Sequence, residues 1–546
     1  MVETARALSE GYYVDNFNVV LDHVSAHHDA LLTDAERDFR STFQRLSQAA
    51  QRLYVRLMGR KGPLFRADLL RYPEIGSIDV AISELERAGF ADAAPDAGAG
   101  ELVRLLRKPE LAPLSSLPAS TKRAEIEEDI LACCDPARIR AAIPGRIVQL
   151  HRQNEIRVFR LLFFGNLDQD LTEFILDSLA ITPYERYPID PGSCPFRSRE
   201  VVEQTCVLYE LRAFARETLP QLPVAALVEL ADAVPLIGEP VMAQRAGRLL
   251  NRIARQLERL GEQDLALGIY ERTLTAPSRE RQARIHAARG NDTVAIELCE
   301  SILRASGDES EFEFGVKFPI LLSRRRRFEL IGWPEPATER IRYCDAVLPP
   351  DDCRVEESAR GYWEAQGHDA RYVENSLFPG LFGLAFWDII FHPVDGAFMH
   401  PFQRGPLDLF TPAFRERRRD LIERRLREVE DQAVMRARVM TAWQTRFPLA
   451  NHFVFWGRLS EALLSTALER IPPAHLIAVF ERLLRDPQHN RSGFPDLIVF
   501  PAGGGYRLVE VKGPGDTLQA NQRRWLRYFD AHGIPAQVQS VAWAAP

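Results

Sequence analysis

The stretch 493–515 leaves this chain the least conformational freedom. Two β-rich runs, Leu497-Ile-Val-Phe500 and Tyr506-Arg-Leu-Val-Glu510-Val-Lys512, flank Pro501-Ala-Gly-Gly-Gly505, the pattern of an antiparallel hairpin. With 501–505 as the loop, Phe500 pairs with Tyr506, and stepping outward along the ladder sets Asp496 opposite Glu510. Directly opposed residues have Cβ atoms about 4.5–5.5 Å apart, so two carboxylates placed there repel unless a cation lies between them. A divalent metal resolves the conflict; the competing reading is a surface hairpin with an accidental acidic pair. Lys512 lies two residues past Glu510 and so on the same face, within reach of a water or phosphate at such a metal. Only five of the 69 basic residues are lysines. A lysine here therefore points to a need for a compact charge with a movable proton, which guanidinium does not offer. Residues 518–532 read as a helix that covers one face of the hairpin.

The remaining sequence is mostly helical. At 546 residues the chain has room for about three or four domains. Residues 12–60 carry apolar positions at helical spacing, and Thr33-Asp-Ala-Glu36 offers a capping box. Basic and apolar residues interleave at 51–62, which makes Arg60 and Lys61 candidate phosphate contacts, and 77–90 reads as the close of a winged-helix-like unit. Proline and serine at 109–121 suggest an interdomain linker. From about 123 to 320 amphipathic helices follow one another, with a weak repeat: Gly261, Ala266 and Tyr270 recur in spacing as Gly290, Ala295 and Cys299. Two arginine clusters stand out as possible phosphate contacts: Arg279, Arg281 and Arg284, and the run that includes Arg324 and Arg325. The expected architecture is a mainly α multidomain protein. It has an N-terminal helical, winged-helix-like DNA-binding region (1–120), a helical-repeat, tetratricopeptide-like middle (121–345) and a C-terminal α/β domain (346–546).

The composition, 46% apolar and 27% charged with a net charge of −7, excludes a disordered chain and a polycation. It does not exclude nucleic acid, which responds to local basic grooves. The longest apolar stretches, such as 381–391, are too short to span a bilayer, and the N-terminal residues lack a secretory pattern, so an intracellular protein is expected. Seven cysteines without a C-x-x-C give neither a disulfide framework nor a zinc site.

The run FPDLIVF…YRLVEVKGPGDTLQANQRRWL resembles the virus-type replication and repair nuclease (VRR-NUC) domain of the PD-(D/E)xK superfamily. Upstream, Tyr372-Val-Glu374-Asn-Ser376 and then LFGLAFWDIIF resemble a segment of the Fanconi-associated nuclease family, as do GYYVDNFNVVLDHV and QRLYVRLMGRKGPLFR near the N-terminus. The resemblance implies that Glu374, Asp496, Glu510 and the Val511 carbonyl are metal ligands. It further implies that Lys512 orients or activates the attacking water and that Gln522 hydrogen-bonds near the site; a plain helix-surface amide is the alternative for Gln522. All-oxygen ligation suits Mg²⁺ or Mn²⁺, with two ions clamping the attacking and leaving oxygens. One departure stands out: the family's H-x-E-G-S is Tyr-Val-Glu-Asn-Ser here, so the acid is kept at Glu374 but the histidine and the glycine are not. Asp388 reads as a buried or capping carboxylate. The implied activity is a structure-selective DNA endonuclease and 5′-to-3′ exonuclease on 5′ flaps or branched DNA, serving interstrand-crosslink repair, with one arginine cluster, foremost Arg279, Arg281 and Arg284, receiving the 5′ phosphate. The alternatives are a Holliday-junction resolvase and a catalytically inactive helical scaffold. Monomer and dimer both remain compatible with the sequence.

Overall fold

The computed structural model describes residues 10–544 apart from 61, 63, 94, 119, 179–181, 190–195, 336–339 and 351–352. Lys61 thus lies outside the described residues. The chain divides into two units, Met1–Ile181 with Cys194–Cys206, and Thr182–Ser193 with Val207–Pro546.

In the first unit the helices Tyr12–His28, Asp34–Arg45 and Gln48–Met58 bury Phe17, Phe39, Phe43 and Tyr54 in one aromatic core. The second of them starts with the expected capping box: the Glu36 N–H donates to Thr33 Oγ1 at 3.4 Å, and the Thr33 N–H donates to Glu36 Oε2 at 2.8 Å. A small antiparallel sheet follows, β1 (Leu64–Arg66), β2 (Ala91–Asp92) and β3 (Ile147–Leu150), in the order β1-β3-β2. Because β3 inserts between β1 and β2, the chain cannot leave this unit at residue 120. The expected linker at 109–121 is accordingly part of the fold, and the boundary at 120 is corrected. Leu111 and Leu114 are buried with Leu102, Ile126 and Ile130, and the hydroxyls of Ser115 and Ser116 donate to Asp129. Proline and serine here shape a tight helical turn instead of an extended spacer.

In the second unit the Val224–Asp232 helix is followed by antiparallel helical hairpins: Pro240–Arg259 with Gln263–Tyr270, then Ser278–Ala288 with Asp292–Arg304, closed by Glu309–Arg326. The repeat seen in the sequence marks these hairpins. Gly261 and Gly290 take the left-handed conformation that ends each first helix, and Ala266, Tyr270, Ala295 and Cys299 are buried where the paired helices meet.

The sheet of the second unit comprises β4 (Tyr343–Leu348), β5 (Asp369–Tyr372), β6 (Leu497–Phe500), β7 (Arg507–Lys512) and β8 (Ala536–Trp543), in the order β4-β8-β7-β6-β5. β8 runs parallel to both neighbours, whereas β5-β6 and β6-β7 are antiparallel. A helical insertion fills the chain between β5 and β6, with Phe382, Phe386, Phe453 and Phe480 at its centre. Alternation along the strands gives the sheet two apolar faces. Leu497, Val499, Val509 and Val511 pack against Ala359 and Trp363 of the Val355–Ala365 helix, while Ile498, Phe500 and Leu508 join the cluster containing Trp525 and Phe529 of the Ala520–Ala531 helix. Arg482 bolts the last repeat helix to this module. Its guanidinium lies 4.5 Å from the rings of Trp525 and Tyr528 and makes a double hydrogen bond to Glu309 at 2.9 and 2.8 Å.

Candidate active site

The β6-β7 register is the one the sequence predicts: Leu497 pairs with Val509, and Ile498 with Leu508. Continued by one position, it sets Asp496 opposite Glu510, on the face that carries Ile498 and Leu508. Glu510 is fully buried and Asp496 is 7% exposed. Asp496 Oδ2 accepts the Val511 N–H at 2.8 Å, which fixes its rotamer. Lys512 Nζ sits 2.9 Å from Glu510 Oε1. Lys512 offsets part of the Glu510 charge at Oε1, but neither Glu510 oxygen makes a hydrogen bond of good geometry, and Oε2 has no ion-pair partner among the described residues. Such a buried carboxylate is costly unless a cation takes up its free lone pairs. Burial, followed by the charge of Asp496, pushes Glu510 up to about 8. Burial, with the negative charges of Glu374 and Glu356 adding to it, pushes Asp496 up to about 6.

Glu374 leaves the end of β5. The backbone ties this segment to the hairpin: Tyr372 pairs with Leu497, and the Val373 N–H donates to the Asp496 carbonyl at 2.8 Å. The Glu374 side chain is exposed, its Oε2 accepting from the Tyr372 hydroxyl and its Oε1 from Asn375 Nδ2 at 3.2 Å. Among the described residues no three His, Cys, Asp or Glu side chains are gathered into a finished metal cage. The acids instead stand apart, as like charges do: Glu510 against Lys512, Asp496 against the Val511 amide, Glu374 at the rim.

Other expected site residues have different roles. Gln522 Oε1 accepts the Gln519 N–H at 2.8 Å, closing the capping box of the Ala520–Ala531 helix. This is the helix-capping role that the sequence leaves open beside a place near the chemistry. Arg279 is 7% exposed and spends all three guanidinium nitrogens internally: on Glu311 at 2.7 and 3.1 Å and on the carbonyls of Ser301 and Ala305. Arg281 grips Glu258 with two hydrogen bonds, and Arg284 bonds Glu280 and lies over the ring of Phe314. Arg279 and Arg281 thus brace the helical hairpins, while the Arg284 side chain stays exposed. Asp388 is exposed, not buried, and holds Arg425 through both oxygens. Arg324 and Arg325 are exposed at the end of the Glu309–Arg326 helix, and Arg60 is exposed with one hydrogen bond to the Tyr72 hydroxyl.

The sequence reading missed two features. Glu356, in the first turn of the Val355–Ala365 helix, adds negative charge at Asp496; it looked like an ordinary helix-starting acid. The other feature is an arginine group in the second unit. Arg212 and Arg245 lie 4.9 and 5.5 Å from the Tyr209 ring, and Arg248 donates to Gln488 at 3.3 Å. No carboxylate lies within ion-pair distance of these three arginines among the described residues, Arg212 Nη1 is buried without a hydrogen bond, and burial plus the charges of Arg245 and Arg212 lower the pKa of Arg248. Arginines at 245, 248, 252 and 255, spaced for one helix face, were the available signal.

A family model described as "VRR-NUC domain" matches residues 430–543, and one described as "FAN1, HTH domain" matches residues 11–92. The Fanconi-associated nuclease 1 homolog of Pseudomonas aeruginosa is 36% identical over 552 residues, covering 97% of this chain and 96% of that protein. The chain belongs to the Fanconi-associated nuclease 1 family. Human Fanconi-associated nuclease 1 is 24% identical over 97% of this chain, which spans 62% of the human protein's length. The crystal structure of paFAN1 bound to 2nt 5′flap DNA with gap matches with a TM-score of 0.90 at 34% identity, covering 99% of this chain and 100% of that one. This Fanconi-associated nuclease 1 family member is therefore a nuclease, mainly helical, with an N-terminal helix-turn-helix domain and a C-terminal mixed α/β VRR-NUC domain. The inactive-scaffold alternative falls with that membership. A nuclease domain of this kind implies a divalent metal, and the unspent lone pairs of Glu510 facing Asp496 fit one. No helix among the described residues is long and apolar enough to cross a membrane.

Proposed function

We propose that this nuclease cuts branched DNA bearing a 5′ flap, as an endonuclease and as a 5′-to-3′ exonuclease, and serves interstrand-crosslink repair inside the cell. The observation that carries this reading is the fully buried Glu510, both oxygens without a well-aligned hydrogen bond, opposite Asp496 and beside Lys512. Support for the substrate comes from the 5′ flap DNA held by the paFAN1 structure, which matches nearly the whole chain.

Asp496, Glu510, Glu374 and the Val511 carbonyl would hold Mg²⁺ or Mn²⁺, two ions per site; when bound, these supply Lewis-acid stabilisation of the charge that develops on the phosphodiester. Asp496 is pre-oriented by the Val511 amide, so its free oxygen needs no reorganisation to take a ligand. Lys512 orients the attacking water with its ammonium and can accept or release a proton there. The helix-turn-helix domain, with Arg60 on its surface, holds duplex. The hairpins of the second unit act as a tetratricopeptide-like support. On them Arg212, Arg245 and Arg248, in place of the braced Arg279 cluster, receive the 5′-terminal phosphate, with Arg324 and Arg325 as further contacts to the DNA backbone.

The test is cleavage of an end-labelled 5′ flap and of a four-way junction, each with Mn²⁺ and with EDTA. Metal-dependent cutting of the flap ahead of the junction is expected. Symmetric cutting of the junction ahead of the flap would favour a resolvase and overturn the proposal.

A further inference from the structure

Asn375 stands beside Glu374 in a backbone conformation, φ +50°, that non-glycine residues rarely enter. Asparagine tolerates it better than most because its short amide can bond locally, and here that amide bridges two distant segments. Its Oδ1 accepts the N–H of Gly493 at 2.7 Å and of Phe494 at 3.1 Å, while its Nδ2 donates to Glu374 Oε1 at 3.2 Å. The orientation of the amide follows from these partners: turned over, its NH₂ would face two N–H donors. Gly493 cannot yield either. It sits at φ +91°, and a Cβ there would come within 2.9 Å of the Asn521 backbone.

Gly493 and Phe494 lead directly into Asp496. One side chain therefore fixes the start of the strand carrying one acid and, through its other end, the carboxylate of another. The second oxygen of Glu374 is held by the Tyr372 hydroxyl, on the other side of the acid in sequence. Glu374 is exposed, and an exposed glutamate without such partners samples several rotamers.

We infer that Asn375, assisted by Tyr372, is the positioning residue that sets Glu374 against Asp496 and so completes the metal site. This rests on the proposal that Glu374 and Asp496 bind a divalent cation. Neither Asn375 nor Tyr372 touches the reacting atoms; both act through Glu374. The two residues at which this chain departs from H-x-E-G-S are thus the two that hold the Glu374 carboxylate. Glycine would give the turn without the bridge.

The experiment is Mn²⁺ binding to the full chain without DNA, measured by calorimetry and by the electron paramagnetic resonance of free Mn²⁺, on wild type, Asn375→Gly, Tyr372→Phe and Asp496→Ala. Outer-shell partners of metal ligands are commonly worth 10–100-fold in affinity. Asn375→Gly keeps the left-handed turn but loses the bridge and should weaken Mn²⁺ binding by about tenfold or more. Tyr372→Phe removes a single hydroxyl, leaves the loop contacts intact, and should weaken binding several-fold; it covers the case in which the glycine variant folds poorly. A merely structural role would lower the melting temperature and leave Mn²⁺ affinity unchanged. Wild-type affinity in both variants overturns the inference. Failure of wild type to bind Mn²⁺, or unaltered binding by Asp496→Ala, instead overturns the metal reading beneath it.

Discussion

Glu510→Gln separates what this site costs the fold from what it does for catalysis. Glutamine keeps the size and shape of the side chain but cannot ionise. In the folded protein, burial and Asp496 raise Glu510 from an ordinary 4.5 to about 8, so the native state holds this proton to higher pH than the unfolded chain does. The stability it contributes is full below about pH 4.5 and is lost as pH rises toward about 8. Within that window each pH unit costs about 1.4 kcal/mol. Between about pH 5.5 and about pH 7.5, metal-free wild type should therefore lose about 2–3 kcal/mol that Glu510→Gln retains. All seven tryptophans lie in the second unit, so their fluorescence during urea unfolding in EDTA follows that unit alone. Adding Mn²⁺ at the higher pH should restore wild type, because the ion binds only the folded carboxylates, and should leave the variant unmoved. A variant-minus-wild-type difference that is equal at both pH values would refute the argument, since burial would then not be acting on the ionised form.

Asp496→Ala should reduce flap cleavage by about a hundredfold or more, the loss of several kcal/mol of transition-state stabilisation, while flap binding in EDTA stays near wild type in a gel-shift titration. Lys512→Arg keeps the charge but not the movable proton, and single-turnover cleavage should fall by about a hundredfold or more; a normal rate would reduce Lys512 to a counter-charge. Arg279→Ala should destabilise the second unit by about 3–5 kcal/mol, because the buried Glu311 loses its counter-charge and keeps only the Gly307 N–H as a hydrogen-bond donor from outside its own helix, and should impair 5′-phosphate and 5′-hydroxyl flaps alike. Replacing Arg245 and Arg248 with alanine should instead penalise the 5′-phosphorylated flap selectively; equal losses on both substrates would mark them as backbone contacts.

The hairpin was legible because strand alternation and a five-residue glycine loop admit a single register, and that register alone brings Asp496 to Glu510. Nothing local announces that β5 pairs with β6 across a whole helical insertion, so Glu374 was found only through family resemblance. The same blindness to distant partners explains the arginines. Arg279 looked like an exposed cation because Glu311, which neutralises it, lies 32 residues away. Arg212 and Arg245 went unnoticed because they meet only once two helices pack on Tyr209. Leu111 and Leu114 were hidden among prolines and serines, where composition spoke louder than the apolar spacing that buries them. Gln522 was assigned by its place in a motif, whereas its position as the third residue of the helix capped by Gln519 also suits capping.

The insertion between β5 and β6 also governs when the nuclease can first exist during synthesis. A ribosome that has just delivered Glu374 must still make the entire insertion before Asp496 appears, and then β7 and β8, the latter lying between β4 and β7. The acids therefore share a site only after β5 pairs with β6 across the whole insertion, a long-range contact whose loop-closure entropy must be met first. A chain that ends within the insertion carries Glu374 but lacks Asp496, Glu510 and Lys512, so its nuclease site is incomplete. For an enzyme whose product is a broken strand, the strand order makes the complete cutting site one of the last things that synthesis delivers.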